Sequence, residues 1–435
     1  MEIRGGVAAP SAPPAQRCPQ CGTSVPVDER YVAWCAECDW NVDPGAPDPE
    51  PGRIAAIRRR LARRYGEQLA AEMERGTDLE RRGRGARTVL SLALALAVHA
   101  VTAALAVTGV LLIVLGWDTR VQPVVGVVLL TVVVVLRPRP VRLPKDAPLL
   151  HRADAPGLFG LIDEVGAAIG TAGVHVVVVD PMANAAVTAY GLRGRRMLVL
   201  GLGLWETLSP QERVALLGHE LGHFAHGDIR HGAITGGALR TLATWLHALA
   251  AAPARGPLDW FVNAVTFAPR WAVYGLLVLL DRLTLQASQR AEYLADASAA
   301  RAGSTAAAVG LMDRLLIAET IGAELRRESV AAQMKGGRGG REARDRAEHG
   351  LWERLAARIG AVPEREYERL RRVAALRGHS VDSTHPPTHL RRRAVSVGAH
   401  AARVEYGEAR GTAVAAELAP ARAELARRVI RDHAR

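Results

Sequence analysis

The chain has 435 residues, of which 49% are hydrophobic and only 4% aromatic, a balance typical of helices and membrane spans. Its length predicts two or three structural units, and its four cysteines lie too close together for a disulfide framework across the whole fold. The formal net charge of +12 is compatible with nucleic acid, anionic lipid or a solvated surface, and the apolar segments described below favour lipid.

The N-terminal part of the chain is predicted to be a small metal-binding module. Residues 1–17 are rich in Pro and Ala and are predicted to be disordered, and a zinc ribbon is predicted over 18–51. Its four thiolate ligands come from two Cys-x-x-Cys knuckles, Cys18, Cys21, Cys35 and Cys38. This spacing favours one structural zinc over a redox or disulfide role. Trp34 and Trp40 could dock a protein partner, but packing on the zinc hairpin is favoured, and no residue specifies nucleic-acid binding.

A basic helix and an apolar hairpin follow the ribbon. The helix is predicted over 52–87, and the hairpin, over 88–142, contains apolar segments at 88–117 and 121–136. Basic residues flank both outer ends, which predicts a multi-pass membrane protein with the ribbon and all later residues on the cytoplasmic side. No secretory signal is expected, because residues 1–50 contain no apolar core segment. His99 in the first span is expected to face a neighbouring helix.

A larger domain is predicted over 143–400. It begins with an amphipathic helix at 154–170, followed by short apolar runs at 174–179 and 197–200. Turn-compatible Asn and Gly residues lie between these two runs, so a small hairpin or edge sheet is predicted.

The second half of the chain contains one region whose membrane placement the sequence leaves open. Two apolar stretches within 232–285 fit either a second transmembrane hairpin or a buried or surface-lying helical pair. If they cross the membrane, they must cross it twice. A mobile loop is predicted at 335–344, and a C-terminal helix at 401–435.

One helix carries the residues most suggestive of chemistry. Ser209 is predicted as its N-cap, and Glu212 closes a capping box. Further along, His219 and His223 are four residues apart and share a helix face, with Glu220 beside them. The two imidazoles would bind zinc, and Glu220 would act as the general base. A solvated surface helix is the alternative, but the apolar surroundings disfavour it.

The third zinc ligand is not fixed by the same helix. The extended motif of metzincins is absent, because His226 and Ile229 stand where it needs Gly and His. Glu292 is the predicted ligand, and Asp296, one turn further on, would orient a ligand His. An ordinary solvated helix face is the alternative for these two carboxylates, and His226 and His231 are rival ligands.

These patterns resemble those of the HtpX-like and CAAX-prenyl-protease family of integral-membrane gluzincins. The order of a capped His-Glu-x-x-His helix, an apolar insertion and Glu-x-x-x-Asp agrees with that family over residues 88–397. Asn184 and Ala185 resemble its substrate-aligning segment, although Ala186 replaces the usual aromatic residue and substrate preference is expected to differ. A late Thr-His-Pro-Pro segment with His385 and Arg391 resembles the family's segment near the catalytic centre. The cysteine module lies outside the resemblance.

The resemblance implies a mainly α zincin-type core with a small β-sheet, joined to transmembrane helices and the zinc ribbon. It implies a membrane-anchored endopeptidase of membrane or misfolded proteins, with one catalytic and one structural zinc. Catalysis is expected to use Glu220, with His385 or Arg391 stabilising the oxyanion. The expected partners are a polypeptide substrate, the lipid bilayer and a protein bound by the ribbon. The alternative is a membrane-tethered ribbon adaptor whose protease-like domain is inactive.

Overall fold

The structure of the protein is a computed structural model. It describes residues 14–45, 53–75, 85–137, 141–191, 193–226, 228–251, 253, 255–334, 338–377 and 385–432. The predicted fold class is confirmed: these residues are mainly helical, with two small sheets and an N-terminal cluster of four cysteines.

The elements follow one another in an order that places most helices after the sheets. The strands are β1 Ala15–Arg17, β2 Ser24–Pro26, β3 Leu149–Leu150, β4 Val176–Asp180, β5 Ala185–Tyr190 and β6 Arg195–Gly201. The first helices are α1 Arg53–Glu74, α2 Ala86–Leu115, α3 Val121–Leu136, α4 Pro156–Ile169, α5 Leu202–Trp205, α6 Pro210–Ala225, α7 Asp228–Ala248 and α8 Pro257–Gly303. The later helices are α9 Thr305–Leu316, α10 Ala318–Gln333, α11 Arg338–Glu348, α12 Leu351–Gly360, α13 Glu364–Arg377, α14 Thr388–Ser396 and α15 Glu408–Asp432.

The larger sheet has the strand order β3-β4-β6-β5. Its central strand β4 is a β-branched run buried on both faces, whereas β5 pairs in the described structure only with β6, in an antiparallel hairpin. The turn of this hairpin uses Gly191 and Gly194, both at positive φ, which glycine adopts without strain. The two runs predicted from the sequence, β4 and β6, pair in parallel, so they do not form a hairpin with each other. The hairpin is formed by β6 with β5, which lies at an edge of the sheet.

The helix that carries the two candidate histidines begins as its sequence predicts. The Glu212 N–H donates to Ser209 Oγ at 3.4 Å, and the Ser209 N–H donates to Glu212 Oε2 at 2.8 Å. This capping box satisfies two backbone donors that a helix start leaves open. It fixes where α6 starts.

Helices α6 and α8 approach each other through small residues. A methyl group at Gly218 would lie 2.9 Å from Ala302 Cβ, and one at Gly222 would lie 3.0 Å from Ala295 Cα. Real carbon atoms rarely approach so closely, so a side chain at either position would force neighbouring atoms of α8 to shift. The four-residue spacing of Gly218 and Gly222 puts both on the face that meets α8. The separation of the two helices is thus set by backbone contact.

Two helices, α2 and α8, are long and apolar enough to cross a membrane, and α3 contains a shorter apolar stretch, Val121–Val135. The apolar region 232–285 folds as α7 and the first part of α8, and both helices pack on α2 through Val98, Ala238 and Leu280. His99 of α2 faces α7, where its Nε2 lies 3.1 Å from the Ile234 carbonyl oxygen.

Two parts of the structure differ in detail from what the sequence suggested. The predicted loop at 335–344 is helical from Arg338 onward, in α11, while 335–337 lie outside the described residues. The predicted disordered segment 1–17 lies outside the described residues up to position 13, and positions 15–17 form β1.

Candidate functional site

The two histidines of α6 meet the carboxylate of α8 predicted to join them. The ligand atoms of His219, His223 and Glu292 all lie within 4.8 Å of one another. Each histidine Nε2 is 3.7 Å from a different oxygen of Glu292. Two ligands of one tetrahedral zinc, each about 2.1 Å from it, are separated by roughly 3.4 Å. The donor set and its spacing therefore fit a single zinc ion with a position left open for water.

A buried carboxylate lies beside the first histidine. Asp296 is completely buried, and its Oδ1 lies 3.0 Å from His219 Nδ1. A proton on Nδ1 leaves Nε2, the atom on the Glu292 side, with its lone pair for a metal. The sequence assigned this orienting role to Asp296, and the geometry supports that assignment.

Arg391 reaches this centre from behind rather than from the cleft. Its Nε and Nη2 donate to the two oxygens of Asp296 at 2.8 and 2.6 Å, and its side chain is only 2% exposed. Burial opposes the charged form of Arg391, but the carboxylates of Asp296 and Glu292 outweigh it and raise the pKa of the guanidinium above its usual range. This placement favours a positioning role for Arg391 over the predicted contact with an oxyanion.

The zinc-binding face opens into a cleft with a cavity of about 360 Å³. Glu220, which is 7% exposed, lies at its wall together with His385. His385 Nδ1 is 2.6 Å from Glu292 Oε2, so the late segment does reach the centre. The neighbours Ser383 and Thr384 lie outside the described residues.

The edge strand β5 forms one side of the same cleft. Ala185, Ala186 and Val187 line the cavity, whereas Asn184 is exposed just before the strand and is not among the lining residues. The opposite side comes from the α7–α8 hairpin, including Thr235. No local pattern in the sequence predicts that this hairpin contributes to the cleft.

Of the two rival histidine ligands, the one whose side chain is described, His226, does not join the cluster. His226 ends α6 and its Nε2 lies 3.2 Å from Ser298 Oγ. The side chain of His231 lies outside the described residues. Glu292 is therefore the carboxylate that, among the described side chains, completes a three-residue group with His219 and His223.

Helix α1 supports the centre, although the sequence suggested only a juxtamembrane helix. Tyr293 Oη donates to the Gly66 carbonyl oxygen at 2.9 Å, and Gln289 Nε2 donates to the Ala62 carbonyl oxygen at 2.8 Å. A methyl group at Gly66 would lie 3.6 Å from Pro387, so α1 also touches the turn that carries His385. The one sequence signal for this packing is a glycine inside an otherwise helical pattern.

The four cysteines form a second metal-binding group. Cys18 Sγ lies 3.6 Å from Cys38 Sγ, and Cys21 Sγ lies 3.5 Å from Cys35 Sγ. Four thiolates bound to one zinc at about 2.3 Å are separated by roughly 3.8 Å, so the group fits a tetrahedral structural ion. Hydrogen bonding with Thr23 lowers the pKa of Cys21 to about 6, which favours the thiolate form that a metal binds.

The ribbon is docked on α13. Trp34 is buried, and the guanidinium carbons of Arg365 and Arg372 lie 5.2 and 5.0 Å from the centre of its ring. Arg372 also donates to the Ala36 carbonyl oxygen at 2.6 Å. Trp40 packs within the ribbon as predicted, but Trp34 faces another part of the same chain.

Comparisons with known proteins agree with this geometry. The family model described as Peptidase family M48 matches residues 160–397. Protease HtpX of Pseudomonas putida is 30% identical over 147 residues, which cover 31% of this chain and 47% of that protein. Protease HtpX of Stutzerimonas stutzeri is 30% identical over 142 residues, with coverage of 31% and 47%.

The chain spans about half the length of the curated relatives it matches. No solved structure matches the chain. The family match nevertheless covers more than half of the sequence, including α6, α8 and the His385 segment. The predicted resemblance is confirmed, and the chain belongs to peptidase family M48, as an HtpX-like member that also carries a four-cysteine group.

Proposed function

We propose that the protein is a membrane-anchored zinc endopeptidase that hydrolyses peptide bonds of membrane or misfolded proteins. The observation that carries the proposal is the meeting of His219, His223 and Glu292 at the wall of an open cleft. Three protein ligands with one open position are typical of catalytic zinc, whereas structural zinc sites are closed by four.

The residues around this centre can be assigned separate roles in peptide hydrolysis. His219, His223 and Glu292 would hold a zinc ion, which supplies Lewis acidity and lowers the pKa of water. Glu220 follows His219 directly and faces the cleft, so its carboxylate would accept a proton from the attacking water and return it to the leaving amine. His385, also at the cleft, would donate a hydrogen bond to the developing oxyanion.

The cleft suits an extended polypeptide. Strand β5 borders it with an edge that, in the described structure, pairs on one side only. A substrate can add to such an edge as a further strand, with its backbone held by hydrogen bonds. Ala186 leaves space beside β5 that an aromatic residue would fill, so we expect large apolar side chains to be accepted there.

Membrane topology follows from the same centre. Since α6 and the end of α8 both contribute ligands, they lie on one side of the membrane. A crossing by the apolar part of α8 therefore requires a return crossing by α7. Together with α2 and α3, this gives four crossings, and the basic residues after α3 favour the cytoplasm for the catalytic side.

The decisive experiment is the Glu220→Gln variant in detergent or proteoliposomes. We expect it to keep its zinc and to lose cleavage of casein and of itself, because the amide cannot accept the proton. Glu319→Gln is the matched control, since Glu319 lies exposed on α10. Full activity of the Glu220→Gln protein would exclude this mechanism.

Metal analysis separates this proposal from a membrane-tethered adaptor with an inactive domain. Two zinc ions per chain, one lost on changing His219 and the other on changing Cys18, would support the peptidase. A single zinc, lost only with Cys18, would favour the adaptor.

A further inference from the structure

A second cavity lies on an adjacent face of α8 from the catalytic cleft. It measures about 600 Å³ and is enclosed by α1, the first turn of α2 and residues 283–290 of α8. Ala287 borders both cavities. Its size is within the range of small-molecule sites, roughly 300–1,000 Å³. We call it the juxtamembrane cavity.

The juxtamembrane cavity contains a positive charge held in place by neutral groups. Arg87 Nη1 donates to Tyr65 Oη at 3.0 Å and to Gln286 Oε1 at 2.9 Å. Its guanidinium carbon also lies 5.6 Å from the centre of the Tyr65 ring. Within the described residues, no carboxylate forms an ion pair with Arg87. These contacts orient the guanidinium without neutralising it.

The rest of the lining is suited to an anionic amphiphile. Arg290 adds a second positive charge and Glu72 one negative charge, which leaves the lining with a formal charge of +1. Leu69 and Leu283 contribute apolar surface. Gly85 is the N-cap of α2, and no side chain among the described residues caps this helix start, so the positive end of the helix dipole adds to the charge of the cavity.

The position of the cavity indicates where its ligand comes from. Ala86 and Arg87 are the first residues of α2, which is long and apolar enough to cross a membrane. The cavity therefore lies at the level of the lipid headgroups, provided that the membrane placement proposed above is correct. Basic pockets beside transmembrane helices at this level bind anionic headgroups.

We propose that the juxtamembrane cavity binds the headgroup of an anionic phospholipid, with Arg87 contacting the phosphate. The apolar lining accommodates the glycerol backbone and the start of the acyl chains. Inorganic phosphate carries the same kind of charge but has no apolar part. It would therefore contact Arg87 but leave the apolar lining of the cavity without a partner.

The test measures lipid binding directly and needs no peptidase activity. The full-length Glu220→Gln protein is reconstituted in neutral phosphatidylcholine nanodiscs and titrated with phosphatidylglycerol, and bound lipid is counted by native mass spectrometry. We expect Arg87→Gln to weaken binding about tenfold or more, the effect of losing one charge-assisted hydrogen bond, and Arg87→Lys to weaken it less. Arg137→Gln is the matched control, because Arg137 follows α3 but does not line the cavity.

The outcomes separate this inference from the peptidase proposal. Equal binding by the Arg87→Gln, Arg137→Gln and parent proteins would overturn the lipid site, whatever the fate of the catalytic assay. Competition by glycerol 3-phosphate or inorganic phosphate as strong as that by the lipid would also overturn it, in favour of a soluble phosphate ligand. Recovery of the parent protein in the soluble fraction without detergent would instead refute the membrane placement.

Discussion

The close approach of α6 and α8 makes Gly222 a sensitive position for zinc binding. An alanine methyl group there would lie 3.0 Å from Ala295 Cα and 3.1 Å from Ser298 Cβ. Carbon atoms prefer about 3.5–4.0 Å, so the neighbouring atoms of α8 must move away by a few tenths of an ångström. Zinc–ligand distances tolerate only about ±0.2 Å. Gly222→Ala should therefore strain the contact between the two histidines and Glu292.

The added methyl group should destabilise the folded protein as overpacking of a core does, by about 1–3 kcal/mol. If zinc binding must restore the native helix separation, affinity falls about tenfold for each 1.4 kcal/mol. Competition with a chelator measures that affinity, and the ribbon zinc of the same chain serves as an internal reference. Gly160→Ala is the control, because Gly160 lies on α4 with no atom within 4 Å of its added methyl group. Unchanged zinc affinity in Gly222→Ala would refute the reasoning.

Two further predictions concern the surroundings of the metals. Asp296→Asn removes the negative charge that holds His219 in one tautomer, so the zinc affinity of the catalytic centre should fall about 10–100-fold. Metal analysis after dialysis measures this loss, and the ribbon should keep its zinc. An unchanged affinity at the catalytic centre would argue against the orienting role of Asp296. Cys18→Ser should release the ribbon zinc and uncover α13, so the amide hydrogens of α13 should exchange faster. If α13 stays as protected from exchange as in the parent protein, docking of the ribbon does not need the metal.

The parts of the site that could be predicted from sequence are those whose residues lie within a few positions of one another in the chain. His219, Glu220 and His223 belong to one helical turn, and the Cys-x-x-Cys knuckles impose their own geometry, so local rules suffice. Spacing and resemblance predict Glu292 and Asp296, but their convergence on α6 depends on packing between residues some seventy positions apart. No local pattern encodes that distance.

Other features depended on contacts that a single sequence does not reveal. Gly218 and Gly222 have the spacing of a small-residue interface, but only the partner helix shows that backbone meets backbone there. Trp34 was expected to pack on its own hairpin, yet α13 supplies two guanidinium groups that cover it. Arg391 stands in a run of arginines, and the family resemblance points to it, but only the structure shows that it binds the buried carboxylate of Asp296.

The length of α8 has a mechanical consequence. Its 47 residues form one helix about 70 Å long, with an exposed aromatic end near Trp260 and the proposed metal ligand Glu292 further along. A helix that adjusts its tilt to bilayer thickness moves as a lever about its packed segment. If α8 crosses the membrane as proposed, thicker or thinner lipid would shift Glu292 relative to α6, and bilayer thickness would then affect the geometry of the proposed zinc centre.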